Sequence, residues 1–280
     1  MHPVLFQIGS MTIYSYGVLV ATGVIVGLFV LRWQSRKLGM NPDQIWNLGI
    51  YMVLAALAGS KIWYVVGELP YYWRHPGQIF SSAVLQSGGD IFGGVMFGLL
   101  FLWWFIATDG TYFHRPQKRT LSYLAVADAF AAPLALGQSI GRVGCFCAGC
   151  CYGKPTKMPW GIVFTNPLAA KLVGTPLNVP LQPTELYEVV AEFLNFLFLI
   201  WLGKRQKFSG QLMATWLLLY GVERFIIEFF RGDPDRGMLF NNSISFMQIV
   251  CVVMVATGTW LFLKHKSNTL PNITPEPAPR

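Results

Sequence analysis

The chain has 280 residues, of which 54% are hydrophobic and only 12% charged, and its 21 basic and 13 acidic side chains leave a net charge of +8. So apolar a composition excludes a water-soluble globular domain and points to an integral membrane protein. The basic excess, which in a soluble chain would suggest nucleic acid, is read here as membrane topology, and no nucleic-acid partner is expected.

A spanning helix needs about 20 mostly apolar residues. Seven segments qualify, at residues 15–33, 46–66, 91–107, 121–138, 185–203, 211–230 and 245–264. The expected class is an all-α polytopic membrane protein of about seven transmembrane helices. The first, third, fifth and seventh segments end in basic clusters: Arg32, Arg36 and Lys37; Arg115, Lys118 and Arg119; Lys204, Arg205 and Lys207; Lys264 and Lys266, with Arg280 at the end of the chain. The positive-inside rule puts those ends in the cytoplasm, which predicts a periplasmic N-terminus and a cytoplasmic C-terminus. Residues 1–14 lack the basic start of a signal peptide, so the first segment is expected to remain. Residues 1–266 are taken as a single membrane domain, and the Pro-rich, polar stretch 267–280 as a disordered cytoplasmic tail. Between the fourth and fifth segments, residues 139–184 read as an ordered, outward-facing cap, because so long a connection is usually functional or disordered.

The costly residues lie near that cap. In "YGVERFIIEFFR", Tyr220, Arg224, Glu228 and Arg231 recur every three or four positions and so share one helix face. An arginine deep in a membrane helix costs about 2.5 to 3.5 kcal/mol, so it faces a partner or a wet cavity. Arg231, nearer the helix end, is read as an interfacial residue whose charge reaches water. Arg142 closes the fourth segment within "SIGRVGCFCAGCCYG", between Gly141 and Gly144. Two guanidinium groups facing one cavity require an anion between them, and in a membrane the phosphate of a phospholipid fits a bidentate grip. The alternative is a structural pairing of Arg142 with Asp128 or Glu185, and of Arg224 with Glu228.

The same stretch holds Cys145, Cys147, Cys150 and Cys151. CxxC is a metal or redox spacing, but no second CxxC or HxxxH supplies further zinc ligands. The cysteines are assigned to close packing among glycines, ahead of a periplasmic disulfide and well ahead of metal. Neither a metal nor a cofactor is expected. Two other classes stay open: a thiol–disulfide oxidoreductase using Cys147 and Cys150, and a transporter with a site near the bilayer midplane.

"GRVGCFCAGCCYG" resembles the signature of bacterial prolipoprotein diacylglyceryl transferases. "YSYG" at 14–17, "SGGDIFGG" at 87–94, "PTELYE" at 183–188 and "YGVERFIIEFFR" at 220–231 extend the resemblance, in the family's order, over nearly the whole chain. It implies transfer of the diacylglyceryl group of phosphatidylglycerol to the lipobox cysteine of a prolipoprotein, at the outer leaflet of the bacterial inner membrane, with release of glycerol phosphate. It also implies roles for residues. Arg142, Arg224 and Glu228 would be catalytic. Tyr16, Gly88, Gly89, Gly93, Gly94, Gly141, Gly144, Tyr187 and Tyr220 would bind substrate, the glycine pairs letting lipid or peptide approach. The implied partners are phosphatidylglycerol, the prolipoprotein signal peptide and membrane lipids, and the chain is expected to act as a monomer. Two departures stand out. Phe92 occupies the place where many relatives carry a histidine or tyrosine proposed as a base, and Cys145 and Cys150 stand where many carry Asn and Glu. Glu185, Glu188 and Asp90 are the fallback bases.

Overall fold

The structure is a computed structural model that describes residues 2–9, 11–81, 89–108, 122–234, 236–239 and 243–265. Gly88, the cluster Arg115, Lys118 and Arg119, Asp235, Lys266 and the tail 267–280 lie outside the described residues. Each of the seven apolar segments is a helix: α1 (Ser15–Lys37), α2 (Pro42–Gly67), α4 (Ile91–Ala107), α5 (Tyr123–Ala148), α7 (Thr184–Gly203), α8 (Gln211–Glu228) and α9 (Phe246–His265). Five of them, α1, α2, α5, α7 and α9, are long and apolar enough to cross a membrane. The other two fall short for separate reasons: α4 has 17 residues, and α8 carries Glu223, Arg224 and Glu228. Short α3 (Leu69–Arg74) and α6 (Pro167–Val173) and a 3-10 turn (Pro76–Phe80) sit in connections, and three two-stranded antiparallel ribbons complete the described elements, the first formed by β1 (Val4–Ile8) and β2 (Met11–Tyr14).

The chain forms two compact units, one of residues 31–126 and one of residues 1–30 with 127–280. In the first unit α2 and α4 pack backbone to backbone. A Cβ on Gly93 would stand 2.2 Å from Trp63 Cβ and 2.5 Å from the Gly59 carbonyl oxygen, and one on Gly94 would stand 3.2 Å from the Ala56 oxygen. Small residues at such a crossing let helices approach where lipid supplies no hydrophobic drive. The glycines expected to admit substrate are therefore used in packing: Gly93 and Gly94 face α2, and Gly89, at φ +69°, lies against Ser60. Asp90, a fallback base, caps α4 instead, accepting from Phe92 N at 2.7 Å and Gly93 N at 3.3 Å.

In the second unit α5 runs ten residues beyond the expected end of the fourth segment, so the cap begins after Ala148 and Arg142 is helical rather than in a loop. Glycines let α5 meet α1 here: a Cβ on Gly144 would be 3.2 Å from Leu19 Cβ, and one on Gly23 would be 2.8 Å from the Gly137 oxygen. Asp128, well up α5, accepts from Gly210 N at 2.5 Å, Met213 N at 2.9 Å and Gln206 Nε2 at 2.5 Å. It thereby supplies acceptors to the otherwise unsatisfied amides at the start of α8.

The cap has its own small core of Tyr152, Phe164 and Leu181. Its chain at 152–154 is held on both sides by backbone hydrogen bonds. Gly153 N donates to Gln182 O (3.0 Å) and Gln182 N to Lys154 O (3.0 Å), while Lys154 N donates to Phe230 O (2.8 Å) and Gly232 N to Tyr152 O (3.0 Å). This ladder ties together the end of α5, the start of α7 and the end of α8. Only glycine fits at 153, because a Cβ would stand 2.4 Å from the Gln182 oxygen and 2.9 Å from the Phe230 oxygen.

Candidate active site

The ends gathered by that ladder bring the functional side chains together. Glu188, one turn into α7, is buried and receives two arginines: Arg142 Nε of α5 lies 2.7 Å from its Oε2 and Arg224 Nε of α8 lies 3.7 Å from its Oε1. Arg224 also donates from Nη1 to Glu228 Oε2 at 2.7 Å, one turn along α8. Glu228 in turn has Arg231 Nη1 and Arg236 Nη1 each at 3.9 Å. Arg231 completes the set by forking onto Asp233, with Nε donating to Oδ1 at 2.8 Å and Nη2 to Oδ2.

Four arginines thus meet three carboxylates, which leaves one positive charge unbalanced among these described groups. The network also keeps slack: Glu188 Oε2, Glu228 Oε1 and Arg224 Nε are buried without a hydrogen bond of good geometry. Buried polar atoms left so are costly unless another group completes them. Exposure separates the two central arginines, because the Arg142 side chain is 22% exposed and that of Arg224 only 3%. Arg142 is therefore the more accessible of the two guanidinium groups.

Three expectations change here. Arg142 pairs with neither Asp128 nor Glu185 but with Glu188, since Asp128 is spent on the start of α8. Arg231 is no free interfacial residue: its side chain is 11% exposed and belongs to the network. Burial opposes its charge, but the Asp233 hydrogen bonds and the negative groups around it more than offset that and hold the guanidinium charged. Glu188, named only as a fallback base, is the hub. The signal for it was its place in "PTELYE" on the face of α7, four residues from Glu192 and three from Glu185, all three buried.

The other expected residues divide. Tyr220 is buried and stacks on Trp216 at 5.4 Å between ring centroids. Tyr16 is exposed, near the start of α1. The Tyr187 hydroxyl is taken up inside the cap, donating to Gln182 Oε1 at 2.5 Å and accepting from Trp160 Nε1 at 2.8 Å, so it braces the cap rather than standing free for substrate. Gly141 has open space where a side chain would be, whereas Gly144 is packed.

Cys145, Cys147, Cys150 and Cys151 are all free thiols. The Sγ atoms of Cys145, Cys150 and Cys151 lie within 4.8 Å of one another, and Cys147 is not among them. The close group thus brings Cys150 together with Cys145 and Cys151, not with Cys147 alone as a redox pair. Beside the cluster, Glu185 is fully buried, and neither of its carboxylate oxygens meets a donor from another residue.

Residues 3–264 match the family model described as prolipoprotein diacylglyceryl transferase. A protein of Clostridium tetani named phosphatidylglycerol–prolipoprotein diacylglyceryl transferase is 33% identical over 262 residues, covering 94% of this chain and 97% of its own length. A second such transferase from Clostridium perfringens is 32% identical, covering 95% and 96%, and one from Finegoldia magna is 31% identical, covering 96% and 98%. With a family match over almost its full length and relatives matched nearly end to end, this multi-pass membrane chain belongs to the prolipoprotein diacylglyceryl transferase family.

Proposed function

We propose that the chain transfers the diacylglyceryl group of phosphatidylglycerol to the lipobox cysteine thiol of prolipoproteins, forming a thioether and releasing glycerol phosphate. One observation carries the reading: arginines from two helices converge on a single carboxylate, Glu188, at the membrane end of a cap. That is the charge pattern a phosphate leaving group requires. The substrate sulfur attacks the glycerol carbon, the C–O bond to phosphate breaks, and the electron pair departs on the phosphate oxygen. Arg142, the more exposed guanidinium, grips the phosphate as its charge grows. Arg224 and Glu228 act as positioning residues, holding Glu188 and through it the plane of Arg142, while Tyr16 and Gly141 border the approach. The basic ends of α1, α7 and α9 support placing the cap and site at the outer leaflet of the inner membrane, with the C-terminus in the cytoplasm.

The decisive assay incubates the purified protein in detergent with phosphatidylglycerol and a lipobox peptide, and follows the peptide by mass. A diacylglyceryl adduct on the cysteine peptide and none on its Cys-to-Ser counterpart is the expected result. No adduct from a protein that remains folded would overturn the reading.

A further inference from the structure

The three gathered thiols are not used by the proposed phosphate chemistry, and α5 places them beside it. Cys145 lies three residues after Arg142 on that helix, hence on nearly the same side. Cys150 and Cys151 come back toward it after the helix end, where Gly149 has φ +81° and Cys151 itself φ +64°. A non-glycine residue persists in that region only where its surroundings over-determine it. The left-handed turn at Cys151, with Thr184 Oγ1 bonded to its carbonyl at 2.7 Å, folds the segment back on the cluster.

We infer that Cys145, Cys150 and Cys151 form a binding site for a thiophilic divalent metal ion of the zinc class, whose fourth position receives the thiol of the incoming prolipoprotein cysteine. Zinc–sulfur bonds of about 2.3 Å put ligand sulfurs about 4 Å apart in trigonal or tetrahedral geometry, so sulfurs already within 4.8 Å need only small movements. Three protein ligands with an open fourth position is the pattern of metal sites that act on substrate, whereas closed sites with four protein ligands are structural. The charge also matches. Three cysteine thiolates and a substrate thiolate around a divalent ion carry two net negative charges, and Arg142 and Arg231 act electrostatically on this cluster from beside it.

This inference rests on the proposed transfer reaction and gives it a means of activating the nucleophile. Phe92 offers no acceptor for a thiol proton, Asp90 Oδ1 is taken up in capping α4, and Glu188 is held by two arginines. A thiol that coordinates the metal loses its proton to water outright. Its sulfur then forms the S–C bond while the C–O bond to phosphate breaks and the electron pair leaves on the phosphate oxygen next to Arg142. The product thioether is neutral and a weaker ligand, so it leaves and the metal stays on its three cysteines.

The test uses full-length protein in detergent, titrated with Cd²⁺ as a spectroscopic probe and with Zn²⁺ in competition. One thiolate-to-cadmium absorption band per chain is expected, displaced by Zn²⁺, lost in Cys145→Ser, Cys150→Ser and Cys151→Ser, and retained in Cys147→Ser. No saturable band in the parent protein, or a band that survives the three substitutions, would overturn the site without reliance on any variant's folding. Adding lipobox peptide to the cadmium-loaded protein should strengthen and shift the band, and the Ser peptide should not. An unchanged band removes substrate thiol from the metal. Lipid transfer is scored separately. Chelator-stripped protein should lose transfer at least tenfold and regain it with Zn²⁺. Full transfer without metal would refute activation while leaving the proposed function standing, whereas absence of transfer at every metal loading would sink the function and leave the cadmium spectra to decide the site.

Discussion

Arg142 and Arg224 illustrate how one residue type takes two roles through burial alone. Arg142 is reachable from outside the protein and Arg224 is not, yet both bind Glu188. On the proposed mechanism, replacing Arg142 by Ala removes a charge-assisted contact to the leaving phosphate, and transfer should fall by about 3 kcal/mol or roughly a hundredfold in rate. Arg142→Lys keeps the charge but not the planar fork, so transfer should still fall severely if two phosphate oxygens are held together. Both are read as initial rates of peptide adduct formation at matched protein. Arg224→Lys should lower kcat with little change in KM, because it disturbs the aim of Arg142 rather than the substrate's binding surface. An unchanged kcat would remove Arg224 from the mechanism. Arg231→Ala should act differently. It strands Asp233, a side chain 13% exposed, at a cost of about 1 to 3 kcal/mol. Thermal unfolding in detergent should therefore report a lower midpoint, with activity per folded molecule reduced less than in Arg142→Ala.

At the scale of elements, the site depends on three chain ends held together mainly by backbone hydrogen bonds. The stretch 152–154 lies between 180–182 and 230–232, hydrogen-bonded to both, and each flank continues into a helix that carries part of the charge network. Gly153→Ala is the sharpest probe of this arrangement. Its methyl group would meet the Gln182 carbonyl oxygen at 2.4 Å and Gln182 Cβ at 2.5 Å, both contacts that require backbone to move. Transfer should drop at least tenfold although no charged residue changes, and the helices should remain inserted, as judged by membrane fractionation and helical circular dichroism. Parent-like activity would mean that the cap is looser than the ladder implies. Asp128 holds α8 from its other end by accepting from three donors, so α8 is fixed at both termini while its middle carries Arg224.

For the molecule as a whole, seven apolar helices and an ordered cap give a membrane protein with charged ends and a charged network in its interior. The proposed orientation makes the cap and the basic ends fall on opposite sides of the bilayer. A reporter fused after residue 266 should be active only in the cytoplasm, and a protease site inserted beside Lys157 should be cut only from outside intact spheroplasts. If both report the same side, the number of crossings differs from seven, and α4 with its 17 residues or the charged α8 is where to look for the missing span.

The sequence by itself determined the membrane setting, the seven helices and the face of α8 that carries Tyr220, Arg224 and Glu228, because these follow from apolar length and a period of 3.6, which are local properties. The ordered motifs also pointed to the family before any coordinates. Local pattern failed where packing decides. "SIGRVGCFCA" falls within the expected cap 139–184, yet it is the last stretch of α5, with Gly144 packed against α1. The glycines at 93 and 94 looked like an opening for substrate and instead seat α4 against α2. Which carboxylate receives Arg142 depends on chain ends far apart in sequence meeting, Arg142 and Glu188 on different helices, and no periodicity encodes that meeting. The same holds for the thiols. Four cysteines in seven residues gave no reason to single out three, and only the helix end and two left-handed turns bring Cys145, Cys150 and Cys151 together and leave Cys147 aside.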